Sequence, residues 1–357
     1  LPVVSRRIRR AVSSLIAVLL LLGLAGFGIQ DWVKDRLQAA SPTAGATPQV
    51  VEIPVGSSTR DVAGILHSRG LIKDPVVFGY YARFRRLDAL LKGGTYELSA
   101  VMTPEEILQK LAKGQVLVRR FTIPEGYTVV QMADALAAKG VMDSASFLKA
   151  AAASSLADRY LPGRKEVPLA QPLEGYLFPS TYDYKPGVSA EEIIELMTTR
   201  FAKVWTPDLL RLAEELKLSV HQTVTLASII EREATVPKER AIISGVYHNR
   251  LRIGMKLDAD PTVLYALHKP PEEGLKLKDL DVDSPYNTYR RAGLPPGPIA
   301  APGELSIKAA LRPEKHDFWY FVAKEDGSGE HYFARSLEEQ EANIAKSGAN
   351  LAARAKK

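Results

Sequence analysis

FTIPEGYTVVQMADALAAKG, residues 121–140, echoes VEIPVGSSTRDVAGILHSRG, residues 51–70, at an ungapped offset of 70 residues. Ile53-Pro54-Val55-Gly56 matches Ile123-Pro124-Glu125-Gly126, and Val62, Ala63, Leu66 and Gly70 match Met132, Ala133, Leu136 and Gly140. Each copy reads as a strand, a Pro/Gly turn, a helix stopped by glycine, and a second helix around Phe78 or Phe147-Leu148. A second echo has an offset of 86: Thr95-Tyr96-Glu97 matches Thr181-Tyr182-Asp183, and Pro104-Glu105-Glu106-Ile107 matches Ala190-Glu191-Glu192-Ile193. Strand–helix units in series, with longer helical patterns after them, predict an α+β fold.

Units of this size resemble the small sugar-binding modules called LysM, which makes residues 49–118 an expected LysM-like α/β module. A plain scaffold is the alternative, because the helices have ordinary amphipathic cores and no residue in them demands a ligand. Ahead of the module, ASPTAGATP, residues 40–48, has the composition of a tether, so 31–48 is read as a linker. Residues 11–29, AVSSLIAVLLLLGLAGFGI, carry no charge. As a helix they would span about 28 Å, close to the hydrocarbon thickness of a bilayer. The expectation is a transmembrane helix over 11–30, with the basic segment 1–10 held inside by Arg6, Arg7, Arg9 and Arg10, and Trp32 as an anchor at the far interface. That places the rest of the chain on the far side of the membrane. A cleaved signal peptide competes, but the apolar run is long for one and a small-residue cleavage site is indistinct.

The four arginines leave only +2 of the net +6 charge to the remainder, so there is no nucleic-acid surface. Cysteine is absent, which excludes disulfides and thiolate metal sites and suits either redox compartment. At 357 residues the chain has room for two or three domains.

The second half is dense with unusual local chemistry. Ser219 and Gln222 form a capping box, so a helix starts near Val220. Val220, Val224, Ala227, Glu231 and Ala234 then share one stripe. A carboxylate there would be partly desolvated and raised toward the range of a general acid. The plainer reading is a helix-end glutamate paired with an arginine; Glu233 points elsewhere. Pro237 opens a second helix that turns Ile243, Val246, Tyr247 and Leu251 inward. GMKLDADPTVLYAL, residues 254–267, and the long loop SPYNTYRRAGLPPGPIAAPG, residues 284–303, precede a β-hairpin over 318–334 that turns at Gly327-Ser328-Gly329. Irregular polar loops of that length inside a compact domain are usually functional. Asp258, Asp260 and His248 lack a metal-ligand spacing, so no metal and no cofactor is expected. LEGYLFPSTYDY, residues 173–184, suits either a sugar-stacking surface or a buried strand, after a Pro-rich loop over 155–172.

LEGYLFPSTY, ASIIERE, VYHNRL, GMKLDADPTVLYAL, SPYNTY, GLPPGPIAAPG and YFVAKEDGSGEHYF, in this order, resemble the endolytic murein transglycosylases of the MltG (YceG-like) family. The resemblance covers about residues 50–345. It implies a YceG-like catalytic domain over 119–345, followed by a tail over 346–357. It also implies lytic cleavage of the β-1,4 bond between N-acetylmuramic acid and N-acetylglucosamine in nascent peptidoglycan, leaving 1,6-anhydro ends and terminating glycan elongation.

The family's catalytic glutamate corresponds to Glu231. It would protonate the leaving oxygen and then take the proton from the sugar's own 6-hydroxyl. Glu174, Tyr176, Tyr182, Asn249, Asp260, Tyr286 and Asn287 match family positions that either line the sugar cleft or hold the loops by internal hydrogen bonds. Asp258 and Ala259 fall in a variable part of the motif, and His331 suits a structural role in the hairpin. The partners implied are glycan strands, cell-wall synthases and the membrane. A non-catalytic peptidoglycan-binding scaffold is the alternative function. A cytosolic pyridoxal-phosphate lyase is disfavoured by the export signal and by the lack of a lysine in a cofactor context.

Overall fold

The computed structural model describes residues 28–41, 47–153 and 171–355. The expected span over 11–30 falls mostly outside these residues, as does nearly all of the loop expected over 155–172. No helix among the described residues is long and apolar enough to cross a membrane. The chain divides at Arg119/Arg120 into two compact units.

In the first unit, strand β1 (Gln49–Ile53) leads to helices α1 (Thr59–Ser68) and α2 (Pro75–Phe84). Strand β2 (Gly94–Leu98) then returns antiparallel to β1, with Val51 opposite Tyr96, and α3 (Pro104–Lys113) follows. Local chemistry sets these bounds. Ser58 and Asp61 close a capping box on α1, Asp74 caps α2 with Pro75 at its first position, and Thr103 and Glu106 box α3. Alternation along the strands and the 3.6-residue period of the helices turn one set of apolar residues inward. Ile53, Val62, Leu66, Phe78, Tyr96 and Leu111 make a core of their own. Each side chain of that size contributes about 1.5–3 kcal/mol on burial.

The second unit opens with the same order of elements. Strand β3 (Arg119–Thr122) is followed by α4 (Val129–Ala138) and α5 (Ser144–Ala153), and then by β4 (Thr181–Tyr184) and α6 (Ala190–Val204). β3 and β4 pair, with Thr122 hydrogen-bonded to Thr181 and Arg120 ion-paired to Asp183. The two sequence echoes are therefore the two halves of one duplicated β-α-α-β-α unit. Ile123, Met132, Leu136 and Ile193 are buried at the positions of Ile53, Val62, Leu66 and Ile107.

On this second copy is built a helical layer: α7 (Pro207–Glu215), α8 (Val220–Glu233), α9 (Arg240–Arg252), the short α10 (Asp260–Ala266) and α11 (Glu304–Leu311). A hairpin of β5 (Tyr320–Ala323) and β6 (His331–Ala334) and the helix α12 (Leu337–Arg354) complete it. The capping box of α8 forms as read, with Ser219 Oγ accepting from the Gln222 N–H and Gln222 accepting from Ser219. Its single apolar stripe does not hold. Thr223, Thr225, Leu226, Ser228, Ile229 and Ile230 are buried beside Val224 and Ala227, so α8 is enclosed nearly all round. Thr223, Thr225 and Ser228 satisfy their hydroxyls on carbonyls of the preceding turn, which lets small polar residues sit in the core. Pro237 opens a 3-10 turn, and the α-helix proper starts three residues later at Arg240.

Candidate active site

Glu231 lies in the last turn of α8, where the chain leaves the helix through Ala234 in an extended conformation. Its side chain is 6% exposed and accepts at both oxygens. Oε1 receives Nη2 of Arg240 at 3.1 Å, and Oε2 receives the N–H of Gly303 at 2.9 Å. Gly303 is the N-cap of α11 and makes no side-chain cap, so the Glu231 carboxylate stands where the helix end is positive. Arg240 is buried as well. Its Nε donates to Ser306 Oγ at 3.0 Å in the first turn of α11, while its Nη1 has no hydrogen-bond partner among the described residues.

A second carboxylate meets the same glycine. The carboxyl group of Glu125 lies against the bare Cα of Gly303, in the space a Cβ would occupy. Glu125 sits in the Pro124-Glu125-Gly126 turn after β3, and main-chain bonds hold that turn in place. The Gly126 N–H donates to Ala301 O at 2.8 Å, and the Ala301 N–H donates to Tyr127 O at 2.9 Å. Arg232 Nη1 donates to Gly126 O at 3.2 Å. Ser228 Oγ, one turn before Glu231, accepts the Ile299 N–H at 3.1 Å. The IAAPG segment is thereby clamped between α8 and the turn. Partial burial pushes the Glu125 carboxyl above the usual range, the charge of Glu231 adds to this, and Arg240 opposes it.

The other residues singled out in the sequence divide into two groups. Tyr176, Tyr182, Asn249 and Asn287 turn inward. Tyr176 OH bonds His221 Nδ1, which in turn ties its other nitrogen to Pro296 O. Tyr182 OH donates to Phe178 O, Asn249 Nδ2 to the carbonyls of His316 and Phe318, and Asn287 Nδ2 to those of Leu280 and Val282. Of the two roles the sequence left open for these four, the geometry is that of residues holding loops.

Glu174 and Tyr286 do come together, around Tyr265. Glu174 accepts from the Val129 N–H at the start of α4 and from Tyr265 OH, while the rings of Tyr265 and Tyr286 lie 4.9 Å apart. Burial drives Glu174 up to about 8, against the pull of its hydrogen bonds. Glu174 and Tyr265 also line a cavity of about 300 Å³ with Thr128, Gln131, His268 and Lys269. Asp260 is exposed and accepts from Tyr289 OH at 2.5 Å. His331 pairs with the buried Glu239 at 2.8 Å in the hairpin. His248 bonds Ala310 O, and Asp258 faces Arg250.

Sequence reading missed Glu125, Arg240, Gly303 and the half-buried Glu233. Burial pushes Glu233 up to about 7, and Tyr247 OH donates to it at 2.8 Å. The signal for Glu125 was present in the repeat, where it stands in the place of Val55. Arg240 and Gly303 carry no comparable local mark.

The chain has relatives among known proteins. The family model described as "YceG-like family" matches residues 51–346. An endolytic murein transglycosylase of Bacillus subtilis (strain 168) is 38% identical over 307 residues, covering 81% of this chain and 82% of the relative. Another, from Streptococcus pneumoniae serotype 2 (strain D39 / NCTC 7466), is 31% identical over 364 residues. That match covers 95% of this chain, which spans 65% of the relative's length. The crystal structure of a yceG-like protein from Listeria monocytogenes superposes with a TM-score of 0.58 at 38% identity. It covers 84% of this chain and 99% of that one.

Proposed function

The chain belongs to the YceG-like family, and we propose that it is an endolytic lytic transglycosylase of peptidoglycan. The observation that carries the reading is Glu231, a carboxylate held by Arg240 and by the N–H of Gly303 where α8, α11 and the turn after β3 converge. Lytic cleavage needs no water. The sugar's 6-hydroxyl attacks its own anomeric carbon, and one proton moves from that hydroxyl to the departing glycosidic oxygen. Glu231 handles that proton, and the product strand ends in 1,6-anhydro-N-acetylmuramic acid. Hydrolytic glycosidases differ in needing a carboxylate pair spaced for water or for covalent attack. Glu174, Tyr265 and Tyr286, beside their 300 Å³ cavity, form an aromatic–acidic wall suited to a pyranose ring.

The proposal extends to the rest of the chain. The apolar run 11–29 anchors the protein with its arginines inside, and the β-α-α-β module of the first unit holds glycan. That module carries a groove of about 520 Å³ lined by Thr59, Arg60, Val76, Tyr80, Arg83 and Asp88, with Tyr80 exposed for stacking. Cutting strands during their synthesis would terminate their elongation, which suits partnership with cell-wall synthases.

One observation favours a non-catalytic scaffold: the Glu231 side chain is nearly enclosed, and both of its oxygens are engaged. Incubation of the protein and its Glu231→Gln variant with purified peptidoglycan, followed by mass spectrometry, separates the two readings. New internal cuts with 1,6-anhydro ends that vanish in the variant are the expected result. Reducing ends would replace the lytic reading with hydrolysis, and binding without cleavage by either protein would favour the scaffold.

A further inference from the structure

We infer that Glu125 is a second catalytic carboxyl, the acid that protonates the leaving glycosidic oxygen while Glu231 acts as the base toward the 6-hydroxyl. The inference rests on the lytic reading above and divides between two side chains the proton handling given there to one. Four independent features of the molecule lead to it.

First, the two carboxylates occupy the same corner. Gly303 donates to Glu231, and its bare Cα faces the carboxyl group of Glu125. Second, they are bonded differently. Glu231 accepts an N–H at each oxygen, the hydrogen bonding of a base, whereas Glu125 has no hydrogen bond among the described residues. Glu125 is exposed at the turn, while the Glu231 side chain is nearly enclosed. Third, the enclosed Arg240 keeps one donor, Nη1, without a partner. A buried unpaired N–H is costly, and this one leaves an unfilled polar position beside Glu231.

Fourth, the turn itself does not call for a carboxylate. The duplicate turn in the first unit has Val55 at the same position, 92% exposed, followed by Gly56 at φ +83° where Gly126 has +75°. The glycine keeps its positive φ while the side chain before it changes, in the copy that faces Glu231. The electrostatics agree: Glu125 is raised by partial burial and by the neighbouring charge of Glu231.

The step balances without a co-reactant. The Glu125 proton passes to O4 as the C1–O4 bond breaks, and the C1–O6 bond forms as O6 gives its proton to Glu231. Transfer of that proton from Glu231 to Glu125 restores the starting state.

The test compares full-length wild type, Glu125→Gln, Glu125→Asp and Glu231→Gln on purified peptidoglycan strands, recording kcat, KM and the pH profile of anhydro-end formation. For Glu125→Gln the expected result is a fall in kcat of about 10²–10⁴-fold. Its KM should stay within about threefold and the alkaline limb of the profile should disappear, while Glu125→Asp recovers at least about tenfold of the loss. A Glu125→Gln enzyme with kcat within about threefold and an unchanged profile overturns the inference, as does a change confined to KM. A large kcat loss with an unchanged profile also overturns it, because that marks a structural role.

If Glu125→Gln does not fold, Glu125→Asp decides: a shifted alkaline limb supports the assignment and an unshifted one overturns it. The two proposals fail separately. Glu231→Gln abolishes cleavage whatever Glu125 does, so an active Glu125→Gln beside an inactive Glu231→Gln removes only the second carboxyl. A wild type that makes no anhydro ends removes both.

Discussion

The turn at 53–56 and the turn at 123–126 are the same structure put to different uses. Both follow a strand, both place glycine at positive φ, and both lead into a helix closed by a capping box, Ser58–Asp61 in one and Thr128–Gln131 in the other. The first packs its backbone on Gly93 and leaves the Val55 side chain in solvent. The second is bonded to Ala301 and Arg232, and it carries a carboxylate where the first carries valine. A turn that already folds without help from its second residue leaves that residue free for chemistry, and only the surroundings decide whether chemistry follows.

Exchanging the two residues is the strongest way to break this comparison. Glu125→Val should cost about 10²–10⁴-fold in lytic rate with a melting temperature within a few degrees of wild type, whereas Val55→Glu should change stability by less than about 0.5 kcal/mol. Equal effects at the two turns would mean that their difference is incidental.

The next effect in size concerns what the second turn faces. Arg240→Ala leaves the enclosed Glu231 without its ionic partner, and a loss of about 3–5 kcal/mol is expected in urea unfolding. A loss below about 1 kcal/mol would show that Gly303 and solvent hold Glu231 unaided.

Titration sharpens the comparison from another side. Glu174 and Glu233, in the second unit, are raised by burial to about 8 and about 7. A carboxyl with a raised folded-state pKa binds more protons folded than unfolded, so its contribution to stability falls as pH rises from about 4.5 toward 8. Asp61, in the first unit, is lowered by its bonds to Ser58, so its contribution falls as pH drops below the ordinary carboxylate range. Hydrogen exchange corrected for intrinsic rates should therefore show the second unit losing protection between pH 5 and pH 8, while residues 49–113 hold theirs. Glu174→Gln should flatten the first trend, and an unchanged slope would count against the burial of Glu174 as its cause.

The smallest effect tests what the two copies share. Ser58→Ala and Thr128→Ala each remove one cap and should each cost about 1 kcal/mol. A much larger loss at Thr128 would show that the second copy depends on its cap in a way the first does not.

The repeat, the capping boxes and the glycine-rich hairpin turn could be read from sequence because each is local. A hydroxyl bonds an amide three residues on, and a glycine supplies its own φ. The Glu231 helix was legible in its start and less so in its surroundings, since the polar hydroxyls that make it look amphipathic satisfy themselves within the helix and allow burial on every side. Tyr176, Asn249 and Asn287 have side chains that serve a sugar or a loop equally well, and only their distances to Pro296-bound His221 and to the loop carbonyls separate the two roles.

By itself the sequence determined the α+β order of elements, the family, and a helix that starts at Val220 and carries Glu231. The tertiary structure alone decided that Glu231 shares a glycine with Glu125 and a bond with Arg240, residues 106 positions before and nine after it. The reason is physical: periodicity and capping act over a few residues along the chain, whereas the field at a carboxylate is set by whatever charge and backbone packing bring within a few ångströms, however far apart in sequence.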